Sequence, residues 1–372
     1  MIPMLQFPRV QFDFGAIAAL PTELTALGIA RPLLVTDQGL VKLGLVDRVR
    51  LAVGPKPEMV VYPDVPENPT VAAVEAGLST FRQNACDGVV ALGGGSVIDA
   101  AKAIALLATH PGTLGDYFGH PEKVGPNVAP LVAIPTTAGT GSEASRGAGI
   151  HPTASARARA VGSPYLVPKV AICDPELTFT LPRHLTAATG MDALTHCIEG
   201  YLSTAMNPPV DAIALSGIRR VVTYLERAVA DGTDREARWH MMMAALEGGM
   251  ALSKSPGPAH AVANTLGDRG LHHGVLVTLA MPHVLRCEAS HIGDKSEHLR
   301  QALLAKPGQS AADAVEDLSG KVGMPGSVRA LGYAASDLDE MATDAAASFF
   351  NLRSPYRPTT AEYKAILEAL LR

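Results

Sequence analysis

The texture of the chain changes once, near Leu181, and that change limits the available folds more than any other feature. Before it, short apolar runs alternate with helical stretches. Pro32-Leu33-Leu34-Val35-Thr36 ends at Asp37, Met59-Val60-Val61-Tyr62 follows, and Gly88-Val89-Val90-Ala91-Leu92 runs into Gly93-Gly94-Gly95. Leu131 to Pro135 and Val170 to Cys173 complete the set. Runs that are apolar throughout and separated by helices predict a parallel sheet covered on both faces. Beyond Leu181-Pro182 such runs disappear. Ala-, Leu- and Met-rich stretches with helical spacing replace them: Ala188 to Leu202, Pro209 to Ala228, Asp234 to Ser253, then shorter ones. The expected organisation is an α/β domain over 1–181 with a Rossmann-like parallel sheet, followed by an all-helical domain over 182–372.

Composition fits two ordinary cores. Of 372 residues, 47% are hydrophobic, 18% charged and 5% aromatic. The net charge of -5, with no basic tract, argues against nucleic acid as a partner. No apolar run approaches the roughly 18 residues that would span a bilayer. The start, Met1-Ile2-Pro3-Met4, lacks the charged and apolar regions of a signal peptide. Cys86, Cys173, Cys197 and Cys287 form no CxxC pair and read as reduced thiols of a cytoplasmic protein.

Residues Asp87 to Lys102 read as strand, glycine loop and helix. The glycines let a pyrophosphate approach the backbone, and a helix starting near Ser96 offers unpaired N–H groups and the positive end of its dipole. Ser96 with Asp99 fits an N-cap with an acidic residue three places on. The pattern is neither G-x-G-x-x-G nor a P-loop, so a plain strand-to-helix turn stays open. Asp37, at the end of an early strand, suits the ribose hydroxyls of an adenosine and would repel a 2′-phosphate; the alternative is a surface turn before Gln38-Gly39. The loop Pro135-Thr136-Thr137-Ala138-Gly139-Thr140-Gly141-Ser142-Glu143 offers hydroxyl donors and close backbone approach, suited to a phosphate or a ribose; a solvated hydroxyl-rich turn is the bland alternative.

Gly190 to His196 places Asp192 and His196 four apart, on one helix face. His260 lies on another helical stretch, and Leu271-His272-His273-Gly274 follows a turn. One carboxylate and three imidazoles can form the shell of Fe²⁺ or Zn²⁺. A lone Asp-x-x-x-His is more often structural. Its company with a dinucleotide loop points to a metal that stabilises charge on an alcohol oxygen while hydride leaves.

These stretches together resemble the iron-dependent (group III) alcohol dehydrogenases over essentially the whole chain. The matching residues are Val35-Thr36-Asp37, Gly93-Gly94-Gly95-Ser96 with Asp99 and Lys102, Pro135 to Glu143, Gly190-Met191-Asp192-Ala193 with His196 and Glu199, and the His260 and His273 segments. The resemblance implies a dehydroquinate synthase-like architecture, with an N-terminal dinucleotide domain, a C-terminal helical domain and a cleft between them. It implies that Asp192, His196, His260 and His273 hold Fe²⁺, with Zn²⁺ the alternative. It implies that Gly94, Gly95, Ser96, Asp99, Thr136, Thr137 and Thr140 belong to the cofactor site, with Asn68 near the adenosine end. Asp37 then favours NAD over NADP. A homo-oligomer, dimer or higher, is expected on the same ground.

The chain departs from the family at Asn264, where many members carry a second His. Asn cannot titrate near pH 7. His272 stands where Pro is frequent, open to the proton-relay role or to plain solvent exposure. Lys254 and Arg146 raise the prospect of a carboxylate-bearing substrate, against surface charges that do nothing of the kind. The expected activity is reversible hydride transfer between NAD(H) and a small alcohol/aldehyde pair. A glycerol or polyol-phosphate dehydrogenase, a lyase of the dehydroquinate synthase type, and a nucleotide-sensing protein without turnover are the competing readings.

Overall fold

The computed structural model describes residues 7–267 and 271–372. Of the described residues, 7–137 with 142–180 form one compact unit, and 138–141 with 181–267 and 271–372 form the other. The tip of the threonine-rich loop, Ala138–Gly141, therefore groups with the helical unit rather than with the sheet.

Among the described residues the sheet unit contains eight strands: β1 (Arg9–Phe12), β2 (Pro32–Val35), β3 (Val60–Tyr62), β4 (Gly88–Gly93), β5 (Leu131–Pro135), β6 (Gly147–Ile150), β7 (Arg159–Gly162) and β8 (Val170–Cys173). Six form one sheet in the order β1-β8-β5-β4-β2-β3, and every pairing in it is parallel. The remaining two, β6 and β7, form an antiparallel pair. Five helices accompany the strands: α1 (Leu20–Ala26), α2 (Gln38–Lys42), α3 (Leu45–Val53), α4 (Val71–Gln83) and α5 (Gly95–Thr109). Alternate residues of each central strand enter different cores. Leu33, Val35, Val89 and Ala91 pack with α4 and α5, whereas Leu34, Val90 and Leu92 pack with α1 and α3. Both faces are dry, which is why these strands carry no polar alternation.

The chain leaves β2 for β3 on one side and β4 for β5 on the other. The adjacent carboxyl ends of β2 and β4 thus form a topological switch point, where open α/β sheets bind ligands. Asp37 follows β2 there, Gly94 to Ser96 follow β4, and Thr136 and Thr137 follow β5.

The helical unit contains α6 (Arg183–Leu202), α7 (Pro208–Ala230), α8 (Arg235–Ala251), α9 (Pro258–Leu266), α10 (His273–Glu288), α11 (Lys295–Ala302), α12 (Ala311–Lys321), α13 (Ala335–Ala347) and α14 (Thr360–Leu370). At its centre α6 is buried from Thr186 to Leu202. Small residues allow this close packing. A Cβ on Gly190 would strike Leu225, and one on Gly249 would strike the backbone of Gly141. All four cysteines are free thiols. No helix among the described residues is long and apolar enough to cross a membrane. The first four residues, examined above for a signal peptide, lie outside the described residues.

Candidate functional site

The helical unit brings Asp192, His260 and His273 together, with one ligand atom from each within 4.8 Å of the others. His196 lies beside this set, its Nε2 3.4 Å from Asp192 Oδ1. Its ring stacks on that of His260 at 4.9 Å, and the His260 and His273 rings lie 5.4 Å apart. Three helices deliver these groups. The four-residue spacing puts Asp192 and His196 on one face of α6; His260 comes from the first turn of α9, and His273 is the first residue of α10.

Asp192 Oδ1, His196 Nδ1 and His260 Nε2 are buried and have no hydrogen-bond partner. Leaving such atoms unpaired costs about 1–3 kcal/mol each. A divalent cation satisfies a carboxylate and neutral imidazoles at once, so the donor set fits Fe²⁺ or Zn²⁺. Burial and mutual charge shift all three groups. Burial holds the His196 pKa well below its ordinary value, and the charges of His260 and His273 add to this. Burial pushes the Asp192 carboxyl up to about 7, opposed by His260 and reinforced by Glu199. Burial pulls His260 down too, but the charge and hydrogen bond of Glu199, with Asp192, outweigh it and the net shift is upward.

The residues expected to handle protons fall differently. His272 caps α10, its Nδ1 accepting the Gly274 N–H at 3.1 Å. Asn264 lies exposed on α9, four residues after His260. Lys254 is corrected by the structure. Its side chain is 1% exposed and its ammonium is paired with Asp211, so it offers no free cation to a substrate carboxylate. Arg146 is exposed.

In the sheet unit, Gly94 is the N-cap of α5 and makes no side-chain capping bond, so the first turn keeps its backbone N–H groups for an anion. The reading of Ser96 as that cap is corrected: its hydroxyl donates to the Glu67 carbonyl, tying the glycine loop to the segment that carries Asn68. A Cβ on Gly94 would press on Thr137 at 3.2 Å, so these two loops approach closely only because residue 94 is glycine. Thr137 Oγ1 is buried without a partner. Asp37 caps α2, with Oδ1 accepting the Leu40 N–H at 2.9 Å. Thr136 lies with the sheet and Thr140 with the helical unit.

Asp99 does not join the loop's binding groups. It accepts from Ser142 at 2.5 Å and from the Gly149 N–H at 2.8 Å, with the Lys102 ammonium 3.7 Å away. Lys102 in turn donates to Ser142, Ser145 and the Gly147 carbonyl. Asp99 thus braces the segment after the threonine loop. Sequence reasoning also passed over Phe350, whose ring meets that of His260 edge-on at 6.1 Å from a short 3-10 helix 90 residues away in the chain. No local pattern marks that contact.

Two family models match the chain. One, described as iron-containing alcohol dehydrogenase, covers residues 8–175; the other, described as the C-terminal part of the Fe-containing alcohol dehydrogenase family, covers 186–371. A 4-hydroxybutyrate dehydrogenase of Cupriavidus necator is 42% identical over 97% of either chain. Among solved structures, a 1,3-propanediol oxidoreductase aligns with a TM-score of 0.92 at 35% identity, covering 99% of both chains. Sulfoacetaldehyde reductase from Bifidobacterium kashiwanohense, solved with NAD+, aligns with a TM-score of 0.90 at 28% identity, covering 100% of this chain and 99% of the other.

Proposed function

This chain belongs to the iron-containing alcohol dehydrogenase family and is a metal-dependent oxidoreductase acting on CH–OH groups; from that premise we propose that it interconverts a small primary alcohol and its aldehyde with NAD as hydride carrier. Asp192, His196, His260 and His273 hold the metal, with iron as its identity. The observation that carries the reading is the cluster of Asp192, His260 and His273, one ligand atom from each within 4.8 Å of the others, in which Asp192 Oδ1 and His260 Nε2 are buried without a hydrogen-bond partner. A divalent cation bound there supplies electrophilic stabilisation of negative charge on the substrate oxygen.

The chain's own groups do the rest. Gly94, Gly95 and Ser96 seat the pyrophosphate at the α5 N-terminus, and Thr136, Thr137 and Thr140 supply hydroxyls along the dinucleotide. Asn68 lies at the adenosine end. Asp37 accepts from the adenosine ribose and repels a 2′-phosphate. His272 exchanges a proton through Nε2, because its Nδ1 is engaged by the Gly274 N–H. Asn264 contributes hydrogen bonding alone. The working protein is an oligomer of the cytoplasm.

A hydroxy acid is the second reading, favoured by the 42% identity to a protein named 4-hydroxybutyrate dehydrogenase. Lys254 is not the group that would recognise it. The test is metal analysis of anaerobically purified protein, followed by NADH formation with short alcohols and hydroxy acids. Metal at about one per chain with steady NADH accumulation is expected. Full turnover by a metal-free preparation would sink the proposal, and a redox cycle that leaves no net NADH would point to a lyase of the same architecture.

A further inference from the structure

Glu199 lies three residues after His196 on the same helix, and its 4% exposure makes it one of the most enclosed carboxylates in the chain. With Asp192 and His196 it completes an i, i+4, i+7 series on one face of α6. Its partners all belong to the start of α9. Oε2 accepts from the Gly257 N–H at 2.7 Å and faces His260 Nδ1 at 2.5 Å, and Oε1 accepts from the Ala259 N–H at 2.7 Å. The next residue after Gly257 is Pro258, which has no N–H to offer. One carboxylate from 58 and 60 residues upstream therefore caps the first turn of α9, where the helix dipole favours negative charge. A Cβ on Gly257 would sit 3.0 Å from Glu199 Cδ and Oε1, so glycine there is what lets the carboxylate in.

The geometry fixes a proton. Both Glu199 oxygens already accept from backbone N–H groups, the arrangement that suits an acceptor-only carboxylate. The short contact to His260 must then be Nδ1–H donating to Oε2. In the neutral ring this leaves Nε2 as the lone-pair nitrogen, and Nε2 is the buried atom without a partner that faces Asp192 Oδ1 at 4.0 Å.

We infer that Glu199 is a positioning residue for the metal centre: it locks His260 in the Nδ1–H tautomer, aims Nε2 at the cation, and joins the first turn of α9 to the helix that supplies Asp192 and His196. The inference rests on the metal reading above. Orienting carboxylates of this kind change metal affinity by roughly 10–100-fold when removed. A capping role alone would cost stability without dictating which ring nitrogen carries the proton.

The decisive variant is Glu199→Gln. Its single carbonyl oxygen can serve only part of the donor set, and its amide NH₂ placed against His260 Nδ1 demands an acceptor there. That forces the Nε2–H tautomer, which has no lone pair at Nε2 to offer the cation. Zinc competition with a chromophoric chelator should show E199Q roughly 10–100-fold weaker than wild type, with NADH binding by fluorescence unchanged. Glu199→Asp, which keeps an acceptor, should recover part of the loss. In the metal-free full-length chain, at a pH high enough for His260 to be neutral, ¹⁵N histidine NMR should show an Nδ1–H ring that is missing from His260→Ala. This measurement needs only wild type and the assigning variant, so it decides the matter even where E199Q does not fold. An Nε2–H ring at His260 in wild type overturns the inference, as does a zinc affinity equal in wild type and folded E199Q. A wild-type chain that takes up no divalent cation overturns the metal reading itself, and this inference with it.

Discussion

Lys102 is the fully buried cation of the sheet unit, and its removal has a cost that can be worked from its contacts. Its ammonium donates to Ser142 Oγ at 2.9 Å, Ser145 Oγ at 3.2 Å and the Gly147 carbonyl at 2.7 Å, and lies 3.7 Å from Asp99. Burial lowers its pKa, and the charges of Asp99 and Glu143 oppose that. Lys102→Met keeps most of the aliphatic stem, so little cavity is created. Three hydrogen bonds at about 1 kcal/mol each are lost. Asp99, already pushed above its ordinary pKa chiefly by desolvation, loses its nearest positive charge. Breaking a buried pair from one side costs about 3–5 kcal/mol, which matches the sum of these contacts. Adding Asp99→Asn removes the stranded charge, so the double variant should recover about 1–3 kcal/mol relative to additivity. Equilibrium urea denaturation provides the assay. The single tryptophan, Trp239, lies on α8, so its fluorescence follows the helical unit while circular dichroism reports both. The K102M loss should appear in the dichroism transition. A loss below about 1 kcal/mol, or strict additivity with D99N, would refute the buried-pair reasoning.

Four further outcomes are expected. His260→Ala should lose the metal and turnover while retaining NADH affinity within about twofold, read by metal analysis and fluorescence titration. Asp37→Ser keeps a capping oxygen for α2 but removes the charge, and should raise the ratio of NADP to NAD kcat/KM by about tenfold or more, the size of a 1–4 kcal/mol charge repulsion. Gly249→Ala drives a methyl into the Gly141 backbone and should cost about 1–3 kcal/mol, with a higher KM for NAD because Thr140 lies next to Gly141. Burial raises the Glu143 pKa from 4.5 to about 7. The folded state therefore holds a proton that the unfolded chain has already released between those values, so this residue's contribution to stability falls as pH rises from about 4.5 to 7. Glu143→Gln should remove that slope, and the midpoint difference between variant and wild type at pH 5 and pH 7.5 measures it.

The central strands were legible because burial on both faces leaves no polar residue in them: Pro32–Val35, Gly88–Gly93 and Leu131–Pro135 are apolar from end to end. The edge strand Arg9–Phe12 alternates polar and apolar residues over only four positions, and the β6–β7 pair is glycine-rich, so neither gives a run to read. In the metal cluster, Asp192 and His196 were legible because helical spacing alone puts them on one face. Ser96, Asp99 and Lys254 have the right chemistry for the roles expected of them, yet each is claimed by a distant group: the Glu67 carbonyl, the Ser142–Gly149 segment, and Asp211. Glu199 runs the other way: the resemblance includes it, but no local spacing gives its role until the start of α9 arrives 58 residues later. The difference is physical. Spacing within one helix is a property of the local chain, whereas the partner that claims a polar side chain is whichever donor or charge the fold buries beside it, since a buried polar atom cannot stay unpaired without cost. By that same rule, Asp192 and His260 stand out. Asp192 Oδ1 and His260 Nε2 are buried without a hydrogen-bond partner, and with His273 they form one cluster of ligand atoms, which is the condition a bound cation satisfies.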